Sequence, residues 1–214
     1  MNQHKQVVRR LLQVAGMTYA AEAGVRLSNK PMPLFQLLVL CMLASKPIGA
    51  TIAMRAGHEL FSAGLKTPKA VLGADRRTMI DAFGRAHYAR YDESSATRLT
   101  DMAQRVVDQY SGDLREIPRR ASEDVDAAKR MLKEFKGIGD TGADIFLREV
   151  QDVWPWVRPH FDKRATRTAK ALGLPTDPEE LGGLAPKANA RLAAALVRVS
   201  LDDDLRQQVA ADTR

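Results

Sequence analysis

Cysteine is almost missing from this chain: Cys41 stands alone among 214 residues. One thiol excludes a disulfide framework, a four-thiolate zinc site and a four-cysteine iron–sulfur cluster held within the chain. Histidine is nearly as sparse. His4, His58, His87 and His160 lie far apart and show none of the short spacings by which histidines share a metal ion, so no metal site is expected. Long apolar runs are absent too. The best of them, Leu34 to Ala44, is about half of what a bilayer demands, so no membrane span is expected. No apolar signal core follows the charged N-terminal residues. The simplest expected address is the cytoplasm, with nucleoid association if the source is bacterial. Aromatic residues make up only 6%.

What is present is globular and basic. Hydrophobic residues reach 45% and charged residues 28%, which argues against wholesale disorder. Ala, Leu and Arg are common, which favours helix. Lys and Arg number 33 against 26 Asp and Glu, a formal charge of +7. A balance of this sign points to a polyanionic partner, either nucleic acid or an anionic membrane surface.

The hydrophobic spacing predicts helices almost throughout and no strand. Helices are expected over 5–23, 50–63, 68–73, 76–84, 94–109, 161–172, 187–200 and 202–211, with a buried helix over 35–43. Pro31 and Pro33 are expected to break the chain, Thr67 to cap the helix that Pro68 opens, and 115–120 to form a linker.

Residues 122–153 are the most informative stretch. Ser122 is expected to cap a helix with acids in its first turn and bases in its last, an order that suits the helix dipole. Val125, Ala128, Met131, Leu132 and Phe135 form its inner stripe. Lys136-Gly137-Ile138-Gly139-Asp140-Thr141 then reads as a tight turn into a second helix with Ala143, Phe146, Leu147 and Val150 inward. Such a turn presents backbone N–H groups and a positive helix end to an anion, and a DNA phosphate suits a chain of this charge. The spacing is equally compatible with a turn that merely joins two packed helices. Further on, Asp162 is the only acid between Arg158 and Lys170. It reads either as a helix N-cap or as an ionised carboxylate held near DNA and facing a reacting sugar.

Hairpin and acid in this order resemble the helix–hairpin–helix (HhH-GPD) DNA glycosylase superfamily, the endonuclease III-like fold. The family hairpin L-P-G-V-G is matched by Phe135-Lys136-Gly137-Ile138-Gly139, its aspartate by Asp162, and the arginine five residues later by Arg167. Phe35 to Leu43 is similar to the family's buried helix, and Tyr110-Ser111-Gly112-Asp113-Leu114 to its turn before the hairpin helices. The resemblance spans roughly residues 30–175. It implies an all-α fold of two lobes with a cleft between them. A six-helix barrel would cover 30–117, and a hairpin lobe would combine 1–29 with 118–214. It further implies a monomer that binds double-stranded DNA through Lys136, Gly137, Ile138, Gly139 and Thr141. A nucleotide would be flipped into the cleft, and Asp162 would stabilise a cation-like sugar while the N-glycosidic bond is hydrolysed.

Departures from the family refine this expectation. Thr141 stands where bifunctional members carry a nucleophilic lysine, which implies a monofunctional enzyme that leaves an abasic site. Asp140 stands where many relatives are basic, which weakens the hairpin's hold on a phosphate. Lys46 stands where relatives often place a glutamine that fills the gap left by the flipped base; a solvated lysine at a helix end fits it equally. The family's cysteine cluster is missing, so no cofactor is implied beyond a monovalent cation at the hairpin. The alternative is a non-catalytic, structure-specific DNA-binding protein of the same fold. A helical interaction protein whose charge serves only solubility is the third reading. Weaker candidates for contact with a base or phosphate are Trp154 and Trp156, the run His87 to Tyr91, and the pairs Arg76-Arg77 and Arg119-Arg120; Asp202 to Asp204 reads as a helix-cap cluster.

Overall fold

The run from Leu34 to Leu43 is buried at every residue, and the helices before and after it in the chain pack against it. In the computed structural model, which describes residues 2–211, all regular structure is helical and no strand occurs among the described residues. Helix α1 (Asn2–Val14) is followed by α2 (Tyr19–Glu22), α3 (Pro31–Ala44), α4 (Ala50–Ser62), α5 (Pro68–Leu72), α6 (Arg76–Arg85) and α7 (Asp92–Tyr110). Then come α8 (Glu116–Arg120), α9 (Val125–Lys133), α10 (Asp140–Val150), α11 (Lys163–Ala171), α12 (Pro178–Gly183), α13 (Asn189–Leu201) and α14 (Asp203–Ala211). No helix among the described residues is long and apolar enough to cross a membrane.

The chain divides into two compact units, and the division falls inside α10. The central unit is Tyr19–Phe146; the terminal unit runs from α1 to Thr18 and resumes at Leu147. The stretch 30–117, expected as a six-helix barrel, falls within the central unit. By compactness the central unit also takes in α2 and the hairpin.

In the central unit α3 packs against α2 and α4, α6 against α4 and α7, and α5 against α7. The close approach of α4 to α3 rests on Gly57, where a Cβ would fall 2.2 Å from Leu40 Cδ2. The prolines expected to break the chain instead open α3: Pro31 is its first residue and Pro33 lies in the first turn, where a missing N–H costs nothing. Tyr88 is buried and donates its phenolic O–H to the Leu43 carbonyl near the end of α3 (3.2 Å). In the terminal unit, Val7, Val8 and Leu11 of α1 share a core with Leu192, Leu196 and Val199 of α13 and Ala165 and Ala169 of α11. Arg191 donates to the carbonyls of Leu12 and Gly16, and Arg198 to that of Met17, so two side chains of α13 satisfy carbonyls at the end of α1 and just beyond it.

Several expectations need correction. The helix expected over 5–23 stops at Val14, because the chain turns at Gly16, where a Cβ would lie 2.4 Å from the Leu12 carbonyl oxygen. The expected linker 115–120 is helix α8, with Pro118 in its first turn and Ile117 buried beneath it. Ser122 does not cap α9. Ser122 and Glu123 are both left-handed (φ 51° and 56°), and Asp124 accepts from Ala127 N instead. Helix α12, capped by Asp177 ahead of Pro178, was not anticipated.

Burial pushes the phenols of Tyr88 and Tyr110 above the ordinary value of 10.0. A folded-state pKa raised above the unfolded one means their contribution is fully present below pH 10.0 and is lost as pH rises through the folded value. Alkaline unfolding is therefore expected to coincide with the ionisation of these two among the four tyrosines. Tyr88→Phe should cost about 1 kcal/mol at neutral pH and move the alkaline midpoint upward. Phenolate absorbance and circular dichroism followed together over a pH titration check both.

Candidate functional site

The glycine turn forms as the sequence predicts. Helix α9 ends at Lys133, Phe135 is buried, Gly137 is left-handed (φ 94°) and Ile138 is tucked in between the glycines. Ile138 N donates to the Phe135 carbonyl (2.9 Å) and Ala143 N to the Gly139 carbonyl (3.0 Å), which closes the turn against the start of α10. Behind it, the Phe135 ring stacks on Tyr110 at 5.7 Å, while the Arg105 guanidinium lies over Phe135 and that of Arg120 over Tyr110. Lys136, Gly139, Asp140 and Thr141 remain exposed.

The charges of the hairpin are paired, two of its acids with lysines of α9 and its Lys136 with an acid of α7. Lys133 pairs with Asp140 (2.7 Å), Lys129 with Asp144, and Lys136 with Asp101 (3.2 Å). The Asp140 carboxylate is thus offset by the helix that precedes the turn. The Lys133–Asp140 and Lys136–Asp101 pairs are exposed and each is worth at most about 1 kcal/mol, whereas Lys129–Asp144 is partly buried.

Two cations stand at the turn from other elements. Helix α3 ends beside the start of α10: a Cβ on Gly142 would lie 2.6 Å from Ser45 Oγ, itself bonded to the Cys41 carbonyl (2.7 Å). The next residue is Lys46, half-buried, with its amine 5.4 Å from the Tyr91 ring centre. Burial, and then the charge of Arg98, pushes the Lys46 ammonium below its ordinary pKa. Arg98 of α7 packs on Gly137, where a Cβ would come within 3.1 Å of Arg98 Cδ. Neither Lys46 nor Arg98 makes an ion pair among the described residues. Lys46 and residues 136–141 therefore belong to one unit and share the neighbour Arg98.

Asp162 belongs to the terminal unit. It is the N-cap of α11: Oδ1 accepts from Arg164 N and Ala165 N, both at 2.9 Å. Oδ2 accepts from Arg148 Nη1 at 3.0 Å, and the two side chains are only 7% and 3% exposed. The loop before it is clamped by Gln151, whose amide donates to the Arg148 and His160 carbonyls and accepts from His160 N (2.9–3.0 Å). Pro159 packs on Gly182, which admits no Cβ: one would lie 2.9 Å from Pro159 Cβ. The carboxylate is thus fixed by three hydrogen bonds on a rigid loop. Among the described residues no group of histidine, cysteine or carboxylate side chains could hold a metal ion.

Of the weaker candidates, Tyr91 of the run His87 to Tyr91 does reach the site, its ring lying against the Lys46 amine and the Arg90 guanidinium, while several others are engaged elsewhere. Trp154 is buried and stacks on Trp156 at 5.7 Å. Arg76 bonds Glu93 and Thr97, and Arg119 pairs with Glu116. Asp202 accepts from Leu205 N, as a cap would.

No protein-family profile matches the chain, and no curated protein matches it with statistical significance. Among solved structures, the chain is similar to a trapped covalent intermediate of endonuclease III with DNA, an estranged-adenine complex. The identity is 18% and the TM-score 0.48, over 91% of this chain and 85% of that one.

Arg98, Gly142 and Arg148 escaped the sequence reading. Arg98 is one of several bases on an amphipathic helix, and Arg148 lies off the inner stripe read from 143, 146, 147 and 150; neither carries a local signal. Gly142 does carry one, a glycine inside a helical pattern, which marks close backbone approach.

Gly137→Ala should destabilise the central unit by about 1–3 kcal/mol, because a Cβ at φ 94° is strained and would press on Arg98 and Met42. Urea unfolding of the variant checks this. Gly139→Ala, where a Cβ meets nothing within 4 Å, is the mild control.

Proposed function

We propose that this protein binds duplex DNA through the hairpin face of its central unit and acts in DNA repair. The observation that carries the reading is the assembly of Lys46, Arg98 and the 136–141 turn in one unit, on a chain of net charge +7. Backbone N–H groups at the start of α10 would take a phosphate, and the two cations would hold its neighbours on the strand. Such contacts set the register of a duplex without reading its sequence. A monovalent cation at the turn belongs to the same proposal.

In the enzymatic form of this reading, the protein is a monofunctional glycosylase that removes a damaged or mismatched base. Asp162 would face the sugar as the N-glycosidic bond breaks; its negative charge would stabilise the cation-like C1′ and a water would complete the hydrolysis. Thr141 is exposed but has no amine, so it cannot form the Schiff base that precedes strand cleavage. A second reading, a non-catalytic binder of distorted DNA, is favoured by one observation: both Asp162 oxygens are already engaged, by the α11 N-terminus and by Arg148.

Incubation with duplexes carrying uracil, alkylated purines or oxidised bases, followed by alkali, separates the two. The enzymatic form expects cleavage on at least one lesion, reduced about a hundredfold or more by Asp162→Asn. Asn still caps a helix but strands Arg148, at a cost on the order of 3 kcal/mol, so circular dichroism must show the variant folded. Strand cleavage without alkali, with a borohydride-trapped adduct, overturns the monofunctional assignment. Retained binding with no excision on any lesion leaves the second reading. In either case Lys46→Ala and Arg98→Ala should each lower the salt slope of duplex binding by about 1. Slopes that do not move would refute the hairpin face as the DNA contact.

A further inference from the structure

A second surface of the central unit has chemistry unlike that of the hairpin. An open groove of about 890 Å³ is lined by the first turn of α3, by α5 and by the end of α7. Three of the large apolar side chains the protein leaves exposed lie in it: Met32 (44%), Leu72 (36%) and Val107 (39%). A smaller compartment of about 290 Å³ adjoins it, sharing Arg26, Met32 and Pro33. Apolar side chains gathered in one concavity mark a contact surface, whereas scattered ones do not.

The charge around this groove has one sign. Arg26, Lys30 and Lys69 edge the larger compartment and Lys66 the smaller, and no Asp or Glu lines either. None of the four cations makes an ion pair among the described residues, so their charge is free to meet an anionic partner. The positive end of α3 opens at the same place, with Lys30 as an N-cap that offers no side-chain acceptor. A further group lines the smaller compartment: Gln36 is only 7% exposed, and its amide has no hydrogen-bond partner among the described residues. An amide at the wall of the compartment with a free donor and a free acceptor suits a peptide main chain, which offers both.

We propose that this groove is a docking site for an acidic segment of a partner protein, one that carries two apolar side chains flanked by Asp or Glu. The apolar residues fill the two compartments, the carboxylates meet Arg26, Lys30, Lys66 and Lys69, and Gln36 takes a main-chain amide. Nucleic acid fits less well. No aromatic ring lines the larger compartment to stack a base, and a phosphate backbone gains nothing from Met32, Leu72 and Val107. The inference does not rest on the DNA reading. The groove and the hairpin face lie at opposite ends of α3, about 20 Å apart for a helix of 14 residues.

The test uses the full chain and a fluorescein-labelled synthetic peptide with two leucines set among Asp and Glu, read by fluorescence polarisation. Saturable binding is expected, weakened about tenfold or more by Val107→Asp and by Lys30→Glu, with duplex binding unchanged. Both positions are exposed, so the fold should survive, and circular dichroism checks that it does. No saturable binding to the native chain overturns the proposal. Equal binding of a peptide with serine for leucine overturns it too, because the attraction is then only ionic. Competition by single-stranded DNA that Val107→Asp abolishes would assign the groove to nucleic acid instead. Self-association that the same variant abolishes, seen by sedimentation, would assign it to a second copy of the chain; either result refutes a partner peptide.

Discussion

The burial of one stretch, Leu34 to Leu43, apolar but for Gln36, is the constraint on which the central unit depends. A helix apolar on nearly all sides must be surrounded, and α2 and α4 pack against it directly. Because α3 cannot shift without exposing that stretch, both of its ends are fixed. One end carries Ser45 and Lys46 to the start of α10; the other carries Lys30 and Met32 to the edge of the groove. A single act of burial therefore positions both candidate surfaces.

The charge of +7 is not spread evenly. At the hairpin, lysines of α9 and of the turn itself are matched against Asp140, Asp144 and Asp101, so the turn contributes little net charge. Among the described residues, cations without a carboxylate partner include Lys46 and Arg98 at one end of α3, and Arg26, Lys30, Lys66 and Lys69 at the other. The exposed pairs at the hairpin, Lys133–Asp140 and Lys136–Asp101, contribute little to stability. Unpaired cations gathered on one face attract an anionic partner and speed its approach.

Asp162 shows how structure and chemistry compete for the same atoms. Two backbone N–H groups and a buried guanidinium hold its carboxylate in one place, and a catalytic group needs to be held. Those same bonds, the Arg148 ion pair above all, offset the negative charge that a developing sugar cation would use. Replacing Asp162 therefore tests a helix cap, a buried ion pair and a reaction at once, and the folded state of the variant must be established beside its activity.

The amino-acid order by itself determined the elements whose causes are local. Helical periodicity, the left-handed Gly137 and the burial of Ile138 follow from side-chain spacing and backbone sterics within a few residues, whereas at Asp162 the order left two roles open. Where a local rule had two outcomes, the tertiary structure chose. Pro31 and Pro118 could end a helix or start one, and the burial of Leu34 and Ile117 decided in favour of starting. The partners of the site residues were beyond the sequence for a different reason. Arg98 reaches Gly137 across 39 positions and Arg148 reaches Asp162 across 14, and no local pattern encodes which of many basic side chains will arrive. Only the packing of helices decides that, because it sets distances between residues that the chain order leaves free.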